Sequence, residues 1–404
     1  MNGPTLNTPA RLPGLDMLRA VAIFLVLFSH GPAPMPGEMP HWLSEVFIAL
    51  KRGGWIGVDL FFVLSGFLVS GLLMREYQKH GSLRPFSFLV RRGWKLYPPL
   101  AVFLAFVMMQ TYVQRGYWPT DRLIVNLLWI QNYTAGLMIH TWSLAVEEHA
   151  YFLIALTFGI AAWVGSRSGR GMRLGWIPYA FIPIAIVGLL LRIQAAQAST
   201  FNEYHHQFPT HLRIDSLLFG VVIAYGYHEH NAALARIIAR YRIHLIVASS
   251  ALLLPPFIFN MSDTPWIYSY GMMTNYLGAA ALLCAILPMR ERNGWLARII
   301  GAIGRHSYSI YLWHMTAYGI VIGMITGVYL GKPDWPVPYA LHMLVYCSAA
   351  IGVGVVMSLL IEVPTLKLRD RLSPRRSGEL KPMQVRKNES QSGEKPLAAA
   401  PASA

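Results

Sequence analysis

The feature that most constrains this chain is a series of apolar segments, each long enough to cross a bilayer as a helix. The hydrocarbon core of a bilayer is about 30 Å thick and needs roughly 20 apolar residues in helical conformation. Because only helices and closed barrels satisfy the backbone polar groups in lipid, the pattern predicts an all-α protein, a polytopic transmembrane helical bundle. About ten such segments occur, near residues 15–30, 55–74, 96–113, 148–165, 176–193, 212–227, 243–259, 272–289, 307–329 and 339–361.

The composition favours contact with lipid over contact with nucleic acid. Hydrophobic residues occupy 54% of the 404 positions and charged residues only 13%, which is about half the charged share of a typical soluble domain. The net charge of +15 does not come from one basic patch, since Lys and Arg recur between the apolar segments. We therefore expect a lipid bilayer as a partner and no nucleic acid.

The basic residues also predict the orientation, because loops rich in Lys and Arg stay on the cytoplasmic side. They concentrate in alternate loops, around residues 75–95, 167–173, 236–242 and 290–305. We expect a multi-pass protein of the plasma membrane with both termini in the cytoplasm. The predicted divisions are a short N-terminal segment (1–13), a membrane domain (14–362) and a basic tail (363–404) whose composition predicts disorder.

Two ionisable residues, Arg19 and His30, bracket the otherwise apolar first segment. Eleven positions separate them, which amounts to about three turns plus 20°, so both lie on one helix face roughly 16 Å apart. Ionisable groups at such depth are costly and usually functional, and imidazole suits a general base near neutral pH. The alternative is a secretory signal peptide or a simple anchor, but no small-x-small cleavage site follows the segment.

The second apolar segment carries Asp59, with Gly66 and Ser70 following on the same helix face. Small residues in such a strip let another helix approach closely. Asp59 is either a packing residue that forms interhelical hydrogen bonds or a member of a polar functional site.

Arg91, Arg92 and Lys95 fall within five residues at the start of the third segment. Such a cluster can simply fix the topology, but paired arginines also suit the multidentate recognition of phosphate. The following Pro98 and Pro99 are compatible with the first turn of a helix, or with a break there.

Ser143, Glu147 and Tyr151 are spaced four apart in the fourth segment and therefore share a helix face. A carboxylate there can orient a histidine, or hold a proton when buried.

In the ninth segment, His314 stands among aromatic residues and is expected to be a satisfied core residue. His205 and His206, in an outer loop, have no paired ligand elsewhere, so we expect no metal site.

Five segments of the sequence occur in the order LPGLDMLRAVAIFLVLFSH, GWIGVDLFFVLSGFLVSG, FLVRRGWKLYPP, TWSLAVEEHAYF and HSYSIYLWHM. Together they resemble the acyltransferase-3 family of bacterial membrane acyltransferases. The resemblance runs from about Leu12 to Glu362 and implies about ten transmembrane helices in the bacterial inner membrane. It also implies an enzyme that transfers acyl groups from cytoplasmic acyl-CoA, expected to be acetyl-CoA, to a hydroxyl of a cell-surface or lipid-linked glycan.

The resemblance also implies roles for the residues within these motifs. His30 would be the general base, with Glu147 or Asp59 orienting it or stabilising its charged form. Lys95 departs from the family pattern, which has a third arginine at this position. A lysine keeps the positive charge but loses the bidentate geometry, which weakens the case for phosphate binding at position 95. The expected contacts of the CoA phosphates are Arg19, Arg91, Arg92 and Lys95, and the expected acceptor or structural supports are Trp142, Ser143 and Tyr151.

Three other functions stay open at this stage. A transporter or flippase would also place charged residues in the membrane, although the sequence shows no internal repeat. A non-catalytic glycan-binding scaffold would not need Arg19 and His30 to be aligned. An acyltransferase acting on a cytoplasmic small molecule is the third. The residues after Glu362 are too few for the extracytoplasmic hydrolase-like domain of some relatives, so we expect no extra soluble domain.

Overall fold

The computed structural model describes residues 12–34, 36–289, 294–329 and 339–373, with the backbone alone for 321–329. Within these ranges all regular structure is helical, which confirms the predicted all-α fold. The helices are α1 (Pro13–His30), α2 (His41–Gly53), α3 (Gly57–His80), α4 (Pro85–Arg115), α5 (Thr120–Leu127), α6 (Trp142–Arg167), α7 (Ile177–Ala198), α8 (Glu203–His206), α9 (Ile214–Glu229), α10 (Asn231–Leu253), α11 (Pro255–Ile258), α12 (Pro265–Tyr268), α13 (Tyr270–Ile286), α14 (Trp295–Arg305), α15 (Ser307–Tyr329), α16 (Tyr339–Met357) and α17 (Val363–Leu372).

Seven helical stretches among the described residues are long and apolar enough to cross a membrane. The other three predicted spans coincide with α9, α13 and α15, which are 16, 17 and 23 residues long. The seven stretches are Pro13–His30, His41–His80, Pro85–Arg115, Ile139–Arg167, Ile177–Ala198, Asn231–Ile258 and Tyr339–Leu372.

Helix α3 lies in the centre of the bundle and packs most extensively against α9. A Cβ atom on Gly66 would collide with the backbone carbonyl of Leu217 in α9. A Cβ atom on Gly220 of α9 would collide in the same way with the backbone carbonyl of Val63 in α3. Ser70 donates its hydroxyl to the Gly66 carbonyl at 2.6 Å and so satisfies its own polar group within α3. The predicted strip of small residues is therefore confirmed as a close helix–helix contact.

Helix α4 is longer than the predicted third span, because it begins at Pro85 and continues through Pro98 and Pro99. Proline in a helix interior removes a backbone donor but keeps a helical φ. Packing against α6 and α17 accompanies the continuous helix. The basic motif at residues 91–95 is consequently held on a rigid helix rather than in a loop before it.

The prediction that disorder begins at residue 363 is wrong, because a π-helical turn (Ser358–Glu362) leads directly into α17. Arg91 of α4 donates to the Ser373 carbonyl, and its guanidinium lies 3.3 Å from the Asp370 carboxylate. These contacts attach α17 to α4, which a composition argument could not anticipate. Residues 374–404, the remainder of the predicted tail, and 1–11 of the predicted N-terminal segment lie outside the described residues.

Candidate active site

Arg19 and His30 lie on one continuous helix, as predicted, and belong to two different surroundings. Arg19 is paired with Asp16 at 2.9 Å and lines a cavity between the helices. His30 contacts the ring of His314 in α15 instead. Tyr308, near the start of α15, lines the same cavity as Arg19, and His314, further along α15, contacts His30, further along α1. Helices α1 and α15 therefore run in the same direction. The site thus has a cationic part and a histidine part.

The cavity lies between α1, α3, α4, α6 and α15 and has a volume of about 90 Å³, room for several water molecules. Three cationic side chains face it, and the rest of its polar lining consists of hydroxyl groups and one carboxylate. The cations are Arg19, Arg92 and Lys95, and the other polar lining residues are Ser65, Ser143, Glu147, Ser307, Tyr308 and Tyr311.

A hydrogen-bonded chain holds Arg92 against the cavity wall. Its Nη2 donates to the Tyr151 hydroxyl at 2.5 Å, and its guanidinium lies 4.2 Å from the centre of that ring. Tyr151 donates to Glu147, whose other oxygen accepts from Ser65 at 2.9 Å. The predicted shared face of Glu147 and Tyr151 is confirmed. The carboxylate, however, is bound to hydroxyl groups next to Arg92, and not to His30 as expected.

The structure separates the three basic residues of the α4 motif. Arg92 and Lys95, three positions apart, face the cavity. Lys95 has no hydrogen bond or ion pair with the described residues, so its ammonium is available to a ligand. Arg91, in contrast, is engaged with Ser373 and Asp370 of the C-terminal helix region. Of the four residues expected at the CoA phosphates, the structure thus places Lys95 at the cavity and directs Arg91 away from it.

Ser143 and Tyr311 form the wall between the cavity and the histidines. Their hydroxyl oxygens are 2.7 Å apart, and Tyr311 donates to the backbone carbonyl of His140 at 2.6 Å. Trp142, next to Ser143, is buried and stacks on Phe208 with ring centres 4.6 Å apart. Trp142 is thus a packing residue that fixes the start of α6. Of its two expected roles, acceptor contact or structural support, this position fits structural support.

Beyond this wall three histidines meet, from α1, from the turn before α6 and from α15. The ring centres of His30 and His314 are 5.0 Å apart, as are those of His314 and His140. His314 is fully buried, as expected of a core residue, and its Nδ1 lies 2.6 Å from the Tyr311 carbonyl, whereas its Nε2 has no hydrogen-bond partner among the described residues. Sequence reasoning missed His140, whose only local signal was its position two residues before Trp142.

Asp59 is fully buried and pairs with Arg213 at 2.8 Å. Next to it, Arg192 and Asp215 form a second buried ion pair, joined by bonds of 2.8 and 3.1 Å. These four charges tie α3, α7 and α9 together. Asp59 therefore makes an interhelical contact, one of its two predicted alternatives, and its carboxylate is directed to Arg213 instead of His30.

Comparisons with known proteins add to this geometry. A family model described as an acyltransferase domain matches residues 12–359. The O-acetyltransferase OatA of Staphylococcus aureus (strain NCTC 8325 / PS 47) is 27% identical over 346 residues, which are 78% of this chain and 52% of that protein. A protein of S. aureus (strain COL), provisionally named an O-acetyltransferase, is 28% identical over 338 residues, 77% of this chain and 51% of its own. This chain therefore spans about half the length of these relatives. No solved structure matches it.

Proposed function

Because this chain belongs to the acyltransferase-3 family, we propose that it is a membrane-bound O-acyltransferase that moves an acetyl group from acetyl-CoA to a hydroxyl of a cell-surface or lipid-linked glycan. The names of the two S. aureus relatives, both O-acetyltransferases, support acetyl as the group transferred. The glycan acceptor is proposed from the resemblance of the motifs to the family.

The observation that carries the proposal is the cationic cavity, which is lined by Arg19 of α1 and by Arg92 and Lys95 of α4. Three cations with a single lining carboxylate, which is already hydrogen-bonded, suit an anionic ligand. CoA carries several phosphate groups, which form strong charge-assisted hydrogen bonds with guanidinium and ammonium groups. Arg92 is well prepared for this, because Tyr151 and Glu147 hold it in place.

The chemical step falls to His30, which lies beyond the Ser143 and Tyr311 wall. Its Nε2 takes the proton of the acceptor hydroxyl as the oxygen attacks the thioester carbonyl. The carbon–sulfur bond then breaks, and the CoA thiolate takes the proton from His30. A relay through an acyl-histidine would use the same residue, with the acetyl group held on the ring before the acceptor arrives.

The test uses the full chain in proteoliposomes or in membrane vesicles from the source cell, with radiolabelled acetyl-CoA. We expect acetyl transfer to membrane glycan, and a loss of about 10² to 10⁴ in rate for His30→Ala. The control His244→Ala removes an exposed histidine on α10 and leaves the rate unchanged. Equal rates in His30→Ala and wild type would remove His30 from the mechanism. Transport of an unmodified glycan without acetyl transfer would favour a flippase.

A further inference from the structure

The hydroxyl groups of Ser143 and Tyr311 form an ordered pair in the wall between the cavity and the histidines. The Tyr311 oxygen lies 2.6 Å from the His140 carbonyl oxygen, whereas the Ser143 oxygen lies 3.5 Å from it. A carbonyl oxygen can only accept, so Tyr311 gives its proton to this carbonyl. Across the 2.7 Å that separates the two hydroxyl oxygens, Ser143 is then the donor and Tyr311 the acceptor.

Other hydroxyl groups in the cavity lining are less suited to bind a ligand beside the histidines. Ser65 and Tyr308 already donate, to a carboxylate oxygen at 2.9 Å and to a backbone carbonyl at 2.7 Å. Ser307 lies about one helical turn before Tyr311 in α15, on the side away from His314. Among the hydroxyl groups that line the cavity, the pair in the wall therefore contains the donor closest to the histidines.

The Ser143 hydroxyl can change its acceptor without breaking the other bond of the pair. A hydroxyl hydrogen rotates to suit its surroundings, so it can turn from the Tyr311 oxygen toward a ligand in the cavity that Ser143 lines. Tyr311 then still donates to the His140 carbonyl. Ser143 also belongs to the first turn of α6, where the helix dipole favours negative charge.

We propose that Ser143 is a catalytic residue whose hydroxyl donates a hydrogen bond to the thioester carbonyl oxygen while negative charge develops there, and that Tyr311 positions Ser143. The inference rests on the proposed function. Attack by the acceptor turns the thioester carbonyl into a tetrahedral oxyanion, and a donor aimed at that oxygen lowers the barrier. A thioester that extends from the cavity toward His30 passes this pair, because His314 connects Tyr311 with His30 through ring-centre distances of 5.7 and 5.0 Å.

The Ser143 hydroxyl keeps its own proton throughout this step. His30 takes the proton of the acceptor hydroxyl, and Ser143 only donates a hydrogen bond to the carbonyl oxygen. The oxyanion then collapses with cleavage of the C–S bond, and the thiolate receives the proton from His30. An acceptor O–H bond and a thioester C–S bond have been replaced by an ester C–O bond and a thiol S–H bond, and the Ser143 hydroxyl turns back to Tyr311.

The test measures the maximal rate and the KM for acetyl-CoA of Ser143→Ala and Ser143→Thr in membrane vesicles from the source cell. We expect the maximal rate of Ser143→Ala to fall about 10²- to 10³-fold, the usual loss when an oxyanion donor is removed. Its KM for acetyl-CoA should stay within threefold of wild type, because the lost bond forms in the transition state and not in the bound donor. Ser143→Thr keeps the hydroxyl and should stay within tenfold of the wild-type rate.

The positioning role of Tyr311 is tested by a double-mutant cycle. Tyr311→Phe removes the oxygen that holds the Ser143 hydroxyl and should lower the maximal rate about tenfold. Because Tyr311 acts through Ser143, the double variant Ser143→Ala/Tyr311→Phe should be no slower than Ser143→Ala alone. Losses that multiply in the double variant would overturn this role of Tyr311.

The matched control is Ser70→Ala, which removes another buried serine hydroxyl, one that is bonded to the Gly66 carbonyl within α3. It should leave the rate and the KM within threefold of wild type. Rates are referred to folded protein measured by size-exclusion chromatography, and Ser143→Gly replaces the alanine variant if that one does not fold. A wild-type rate in Ser143→Ala would overturn the inference, as would equal losses in the alanine and threonine variants. Absence of acetyl transfer in wild type, or full activity of His30→Ala, would instead refute the proposed function.

Discussion

At the scale of single residues, the α4 motif contains cations in two different environments. Arg92 faces the cavity in a fixed orientation. Arg91, the preceding residue, instead contacts the C-terminal helix region. We expect Arg92→Ala to raise the KM for acetyl-CoA about 10- to 100-fold, because a charge-assisted bond to phosphate is lost. Arg91→Ala, the matched control, should leave this KM within threefold of wild type. Acetyl-CoA titration in membrane vesicles measures both, and equal increases would contradict the separation.

The side chain at position 95 offers a second comparison at the same scale. The Lys95 ammonium lines the cavity without a hydrogen-bond partner in the described part of the chain. Replacing it with arginine keeps the charge and adds a planar fork that can bind phosphate through two bonds. We expect Lys95→Arg to retain activity with an equal or lower KM for acetyl-CoA, and Lys95→Met to raise it about tenfold. An unchanged KM in Lys95→Met would exclude the ammonium from donor binding.

The buried ion pair of Asp59 and Arg213 connects two elements of the fold, since it links α3 to the turn before α9. Removing one partner leaves the other as a buried, uncompensated charge, which typically costs about 3–5 kcal/mol. We expect Asp59→Leu to lower the melting temperature and the amount of folded protein strongly. The double variant Asp59→Leu/Arg213→Met, which leaves no charge of this pair, should recover much of the loss. A stable Asp59→Leu protein that is inactive would indicate a chemical role for Asp59 instead.

At the scale of helices, the contact between α3 and α9 depends on the absence of a side chain at Gly66. An alanine Cβ there would meet the Leu217 backbone, which can move only with α9. We expect Gly66→Ala to destabilise the protein by about 1–3 kcal/mol through overpacking. Gly352→Ala in α16 is the control, because a Cβ at that position has nothing within 4 Å. Thermal unfolding in detergent compares the two, and similar melting temperatures would show that α9 adjusts freely.

The helices and their polar faces could be read from the sequence, because both depend on local spacing. The 3.6-residue period aligned Arg19 with His30 and Glu147 with Tyr151, and it found the small-residue strip at Gly66. The sequence did not show which residues contact each other across the helix bundle. Asp59 and Arg213 are 154 positions apart, and the contact of His140 with His314 also joins segments that are far apart in the sequence. Nothing in a single sequence states which buried polar groups face each other.

At the scale of the whole molecule, the cationic cavity and the histidine cluster lie at different levels of the bundle. Arg19 and His30 are three turns apart on α1, about 16 Å along the helix axis. The end of the bundle near Arg19 also holds Arg91 and the basic residues of α17, as loops on the cytoplasmic side do. CoA phosphates bound there would leave the flexible pantetheine arm pointing past Ser143 and Tyr311 toward His30.

This arrangement predicts that donor and acceptor reach the protein from opposite sides of the membrane. In vesicles of known orientation, acetyl-CoA supplied on the cytoplasmic face should support acetylation of the glycan, and acetyl-CoA supplied on the other face should not. Permeabilising the vesicles should remove the difference, which controls for inactive protein in one orientation. If both substrates act only from the cytoplasmic face, the acceptor does not approach His30 from outside. An acyltransferase for a cytoplasmic small molecule would then explain the cavity better, since its acceptor would enter beside the CoA.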